Sequence, residues 1–184
     1  MILASRSPQR RALLEQLGIE FELRPADVRE RGDGEPQAVV RENAQRKARA
    51  VAATLAADDD RLVLGVDTVV ALAGRVLGKP TDEAEARAFL KALAGRVHAV
   101  RSGICLCGPG RERSAVATTS VRFRALGPSE IHWYVATGEW RERAGGYAIQ
   151  GRGAALVSSI QGDYFNVVGL PVASLLRLAP ELLG

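Results

Sequence analysis

A short apolar run that breaks at a Ser-rich turn and restarts as a helix, MILASRSPQRRALLEQLG, is the feature that most constrains how this chain folds. Ile2, Leu3 and Ala4 read as a strand, Ser5-Arg6-Ser7 as the turn, and Pro8 as the first helical residue, where its missing N–H and preset φ suit the position. Ser7 is the expected N-cap. A helix N-terminus offers free N–H groups and a partial positive charge. Hydroxyls with Arg10 and Arg11 crowded there make either an anion site, a phosphate above all, or an ordinary turn with solvated arginines.

The rest of the chain continues the alternation. Glu20–Arg24 reads as a strand, residues 25–35 as an acidic loop, and Pro36 to Leu55 as a helix. Residues 61–66 form a continuous apolar run, as in a strand covered on both faces. Val69 to Leu77 predicts a hairpin with Ala73-Gly74-Arg75 at its tip. Thr81 is the expected cap of a helix ending near Gly95, with acids in its first turn. Two long strands, 96–107 and 113–125, flank the turn Gly108-Pro109-Gly110. A helix from Pro128 to about Thr137, a Gly-rich turn over 144–153, a strand from Ala154 to Ile160 and a helix from Pro171 to Leu183 complete the pattern. The fold class is therefore α/β, a mixed twisted sheet with flanking helices, in one domain over 1–184 without a linker.

Composition serves mainly to exclude. With 47% apolar and 25% charged residues, 184 residues can bury a core, built from Ala, Val and Leu because aromatics are only 5%. No stretch is long and apolar enough to span a membrane, and the first residues turn polar too soon for a signal peptide. A cytoplasmic protein is the expectation. The +4 charge comes from scattered arginines, without a basic tract interleaved with aromatics, so nucleic acid is not the expected partner. Two histidines undersupply a Ser/His/Asp triad or a His-rich metal site. Cys105 and Cys107 are too few ligands for zinc and read as buried small apolar residues.

Asp67 stands out, ending an apolar strand in Gly65-Val66-Asp67-Thr68-Val69-Val70. Burying a carboxylate uncompensated is expensive, so it faces a cleft or is paired. In open α/β sheets ligands sit at the carboxyl ends of strands, where an Asp holds a metal or takes a proton from water. Lys79, in Gly78-Lys79-Pro80, is presented as a point charge for phosphate or is a solvated loop lysine. Lys47 shares a helix face with Ala44, Ala48 and Val51 and reaches into a cleft or snorkels at the surface. Glu30 lies in an acidic loop that binds a divalent cation or is solvated. Any metal would rest on oxygen ligands, which points to Mg²⁺ or Mn²⁺. Gln150, between Ile149 and Gly151, carries an amide that both donates and accepts, matching a pyrimidine's imide edge, or serves as a turn amide.

Six segments together resemble the Maf family of nucleoside triphosphate pyrophosphatases. They are Leu3-Ala4-Ser5-Arg6-Ser7-Pro8-Gln9-Arg10, Asn43-Ala44-Gln45-Arg46-Lys47-Ala48, Gly65-Val66-Asp67-Thr68-Val69-Val70, Gly78-Lys79-Pro80, the run from Ala144 to Gly151, and Gly162-Asp163-Tyr164-Phe165-Asn166-Val167-Val168-Gly169-Leu170-Pro171. The resemblance implies a fold similar to inosine triphosphate pyrophosphatases, with two lobes around a central cleft, in a cytoplasmic enzyme that is often a homodimer. It implies cleavage of a nucleoside triphosphate to the monophosphate and pyrophosphate. The implied catalytic base is Asp67, with Glu30 as its partner on a divalent metal. Ser5, Arg10, Lys47 and Lys79 are the implied phosphate contacts; Arg10, Thr68 and Gln150 set base preference. The combination looks like the subgroup acting on dTTP and UTP rather than on 7-methyl-GTP. Where the family usually has two arginines after Ser-Pro, this chain has Gln9-Arg10, with Arg11 following. The competing reading is a nucleotide-binding regulator of septum formation that hydrolyses little.

Overall fold

The computed structural model describes residues 1–183. In chain order the elements are β1 (Ile2–Leu3), α1 (Pro8–Gln16), β2 (Glu22–Leu23), α2 (Pro36–Ala52), β3 (Val63–Leu72), β4 (Arg75–Leu77), α3 (Glu83–Leu93), β5 (Val97–Gly108), β6 (Arg111–Phe123), α4 (Pro128–Ala136), β7 (Val157–Gln161), α5 (Tyr164–Val168) and α6 (Val172–Leu178). The strands form one sheet in the order β2-β1-β3-β5-β6-β7, with β4 on the side of β3 away from β5. β1 pairs in parallel with β2 and β3; all other pairs are antiparallel. The expected α/β class with a mixed sheet is what forms.

Two-residue alternation divides the sheet faces. From β3, Leu64 and Val66 join Leu13 and Leu14 of α1 and Leu175 of α6 in one core. Val63 turns the other way, to Ala44, Ala48 and Val51 of α2. Towards their far ends the same long strands change partners: Val70 and Leu72 of β3, Val100 of β5 and Phe123 of β6 pack with Leu90 of α3 and Tyr134 of α4. These apolar cores therefore share one set of strands, with the core of α1 and α6 towards one end and the core of α3 and α4 towards the other. Between them lies a polar seam: Thr68 Oγ1 to Ser102 Oγ at 2.8 Å, Asn166 Nδ2 to Thr119 Oγ1 at 3.0 Å, and Asn166 Nδ2 to the Val100 carbonyl at 3.0 Å.

Several boundaries differ from the sequence reading. Asp82, not Thr81, caps α3, accepting from the Glu85 N–H at 2.8 Å, while Thr81 donates to the Glu85 carboxylate from its N–H and hydroxyl. Ser7 occupies the N-cap of α1, but its hydroxyl donates to Gln9 Oε1 instead of capping. Residues 152–156 form a 3₁₀ turn before β7 rather than strand. The last helix stops at Leu178, because Pro180 disfavours helical backbone at Ala179; a 3₁₀ turn, Pro180–Leu183, follows. No helix among the described residues is long and apolar enough to cross a membrane.

His98 marks the far core electrostatically. Its Nε2 shares a hydrogen bond with Tyr147 Oη at 2.8 Å, and Phe123 and Tyr147 meet it edge-on. Burial pulls its pKa down to about 4. The unfolded chain takes up this proton near the ordinary value of about 6.5, so the folded state holds fewer protons below that pH. Stability from this group is complete above the unfolded pKa, declines as pH falls towards the folded one, and levels off beneath it. The loss is on the order of 3 kcal/mol. Denaturant midpoints measured across that window are expected to fall, and His98→Gln should flatten the slope. Equal slopes in both proteins would remove His98 as the cause.

Candidate active site

β3 is laddered to β5 without interruption from Val63 to Ala71. On its other edge, β1 covers only Val63 and Leu64, and β4 only Val70 to Leu72. Residues 65–69 thus present one edge that no strand pairs. Asp67 lies in the middle of β3, not at its tip as the sequence reading has it. On one edge the pairing stops after Leu64 and resumes at Val70.

α2 lies on the sheet face across β3 and β5, beside this edge, and gives the carboxylate its partners. Gly65 and Gly103 let the α2 backbone lie directly on the strands: a Cβ at Gly65 would collide with the Ala44 carbonyl oxygen, and one at Gly103 with the Val40 carbonyl oxygen. That approach places Asn43 and Lys47, one helical turn apart, beside Asp67. Asp67 is 5% exposed. Its Oδ1 accepts from Lys47 Nζ at 2.7 Å and its Oδ2 from Asn43 Nδ2 at 3.0 Å. Lys47 Nζ also lies 2.7 Å from Glu30 Oε1 and donates to the Val66 carbonyl at 3.3 Å. Breaking such a buried pair from one side would leave an uncompensated charge.

Asn43 has no assigned role in the sequence reading, yet it ties the acidic loop to the carboxylate. Buried to 1% exposure, it accepts from the Arg31 N–H at 2.8 Å and donates to the Arg31 carbonyl at 2.9 Å and to Asp67. The signal that could have found it is its i, i+4 spacing to Lys47, which puts a polar amide on the buried stripe of α2.

On the opposite face of β3, Arg10 turns inward while Arg11 stays exposed and pairs with Glu15. The Arg10 guanidinium donates to the Val66 carbonyl at 3.0 Å, Ser5 Oγ at 2.9 Å, Thr68 Oγ1 at 3.1 Å and the Gly169 carbonyl at 2.9 Å. These acceptors are neutral, so its charge is balanced only at longer range. Burial lowers its pKa from the ordinary arginine value, and Asp67 and then Glu30 oppose that shift. Arg10 and Lys47 therefore meet on one carbonyl oxygen, that of Val66, from the two faces of the sheet.

The structure thus brings together Ser5, Arg10, Glu30, Lys47, Asp67 and Thr68. Lys79 and Gln150 sit apart from this network. Lys79 is exposed beyond β4, where its Nζ pairs with Glu142 Oε2 at 2.6 Å. Gln150 is exposed on the turn after Tyr147.

Oxygen donors suited to a hard divalent cation are present. Glu30 and Asp67 each place a carboxylate oxygen 2.7 Å from the same lysine nitrogen, so both already converge on a single positive charge. That donor set fits Mg²⁺ or Mn²⁺ and not a thiophilic ion.

The sheet thus leaves one strand edge open beside two buried cations, Arg10 and Lys47, and a lysine-paired carboxylate. The chain belongs to the family of Maf-like proteins, whose model matches residues 1–182. It is 50% identical to the dTTP/UTP pyrophosphatase of Anaeromyxobacter sp. (strain Fw109-5), over 97% of this chain and 87% of that protein. It is 46% identical to the dTTP/UTP pyrophosphatase of Deinococcus radiodurans, over 97% and 90%, and 44% identical to that of Thermococcus gammatolerans, over 97% and 94%. Among solved structures, the Staphylococcus aureus Ham1 protein aligns with a TM-score of 0.46 at 18% identity, covering 66% of this chain and 70% of that one.

Proposed function

We propose that this protein hydrolyses dTTP and UTP to the monophosphate and pyrophosphate by attack of water on the α-phosphorus. The observation that carries the proposal is the convergence of Glu30, Lys47 and Asp67 on one point beside the open edge of β3. The relatives' names support the substrate class.

The residues divide the work by charge. A triphosphate carries up to about four negative charges, and cations fixed in a poorly solvated cleft stabilise them as they shift towards the leaving pyrophosphate. Lys47 turns its Nζ from Asp67 to a phosphate oxygen when substrate enters. Asp67 Oδ1 is then available to take the proton of the attacking water, while Asn43 keeps Oδ2 in place. Arg10, held by four acceptors, adds a positive charge that does not have to be reoriented. Lys79 exchanges Glu142 for the outer phosphates. Thr68, bonded to both Arg10 and Ser102, and the exposed amide of Gln150 read the pyrimidine edge. Glu30 and Asp67 would hold Mg²⁺ or Mn²⁺, which when bound supplies charge neutralisation and polarises the phosphoryl oxygens.

A panel of nucleoside triphosphates with either metal, separating pyrophosphate from orthophosphate, tests this. dTTP and UTP should be consumed faster than purine nucleotides, with pyrophosphate as first product and no turnover in excess chelator. Orthophosphate as first product, or tight UTP binding without turnover, would contradict the proposal.

A further inference from the structure

Cys105, Cys107 and Glu112 form a cluster that the proposed reaction does not use. By spacing alone the two cysteines fall short of a metal site, but strand pairing supplies a third ligand. In the β5–β6 ladder Cys107 stands opposite Glu112. Both cysteines turn to the α2 side of the sheet and carry free thiols. Their sulfurs are 3.8 Å apart, and Cys107 Sγ donates to Glu112 Oε2 at 3.7 Å. All three ligand atoms lie within 4.8 Å of one another.

We propose that Cys105, Cys107 and Glu112 bind a thiophilic divalent cation, Zn²⁺ or its analogue Cd²⁺, at the junction of α2 with β5 and β6. Tetrahedral zinc has bonds of about 2.3 Å to sulfur and about 2.0–2.2 Å to carboxylate oxygen. Those lengths put two bound sulfurs about 3.8 Å apart, and a bound sulfur and oxygen about 3.6 Å apart. Two edges of that figure are already present at 3.8 and 3.7 Å. The third closes by a small inward swing of Glu112.

The carboxylate is also braced from behind. Gln45 Nε2 and Arg49 Nη2 donate to Glu112 Oε1 at 3.1 and 2.8 Å. Arg49 Nε, 2.6 Å from Oε2, is the contact the cation displaces. Hydrogen bonds of this kind orient ligating carboxylates. Glu112, with a side chain 29% exposed, opens the cluster to solvent, from which a water completes the fourth position. Binding forms two metal–thiolate bonds and releases both thiol protons to solvent, with no change of oxidation state. Two thiolates select a different cation from the oxygen-only pair of Glu30 and Asp67.

The test is a Cd²⁺ titration of the whole chain, kept reduced, read by thiolate-to-metal charge-transfer absorption. The expected result is saturation at one Cd²⁺ per chain, competed away by Zn²⁺ and absent in the Cys105→Ser/Cys107→Ser double variant. Glu112→Gln, at the surface and without risk to the core, should weaken binding by about 10-fold or more. Turnover of dTTP with Mg²⁺ should be unchanged in Glu112→Gln. No absorption band at stoichiometric Cd²⁺, or equal affinity in Glu112→Gln, would overturn the site. Either result would leave the proposed hydrolysis standing, because the two readouts are separate.

Discussion

Asp67→Asn is expected to keep the fold and nucleotide binding while slowing turnover by about 10²–10⁴-fold. The amide matches the carboxylate in size and its single oxygen can accept from Asn43 Nδ2, while its NH2 faces Lys47 Nζ, which must turn away towards Glu30. It cannot take a proton from water at neutral pH, which is the step assigned to Asp67. Lys47 retains Glu30 at 2.7 Å and is not left as an orphaned charge. Removing one negative charge beside Lys47 is also expected to leave triphosphate affinity intact or raised. Steady-state kinetics alongside thermal melts check this: kcat should fall with KM and Tm close to those of the parent. An unchanged kcat would remove Asp67 from the mechanism.

Gly65→Ala is expected to damage stability and activity together, although Gly65 bears no chemistry. Its added Cβ would collide with the Ala44 carbonyl oxygen and lie 2.7 Å from the Ala48 backbone nitrogen. Both belong to α2 backbone, which cannot rotate aside as a side chain would. The helix must lift, and Asn43 and Lys47 lift with it, away from Asp67. Overpacking of well-filled sites costs about 1–3 kcal/mol, and a backbone collision belongs at the upper end or beyond. A lowered denaturant midpoint with a raised KM and reduced kcat is the expected signature. A fully active, equally stable Gly65→Ala protein would show that α2 does not rest on this glycine.

How much was legible in the chain follows from which signals are local. The strand–turn–helix around Pro8, the long helix from Pro36 and the hairpin of β5 and β6 show in periodicity and turn residues, because each forms mostly from its own neighbours. α5 does not: at five residues, with Asn166 its one buried position, it has no repeating apolar stripe. Asp67 was visible as a carboxylate among apolar neighbours, but its place in mid-strand was not. Whether a strand is paired on both edges depends on β1 ending at Leu3 and β4 ending at Leu77, and no local pattern encodes that. Arg10 and Arg11 are likewise indistinguishable in composition. Only the position of Gly169 and Val66 in the fold decides which one turns inward. Glu30, in a loop without periodicity, is placed beside Asp67 by resemblance alone, and Asn43 shows only as an amide one turn before Lys47 on the buried face of α2, which marks it as buried but not what it holds.

The polar seam running from Thr68 through Ser102 and Asn166 to Thr119 has an evolutionary consequence. It separates the core of α1 and α6 from the core of α3 and α4 except at Val168, which packs against both. Substitutions in the two cores should therefore accumulate with little epistasis, each core drifting on its own. Changes at the seam itself would be felt by both halves at once, so the lineage of such a protein is freer to vary its packing than the narrow band of hydroxyls and amides that separates it.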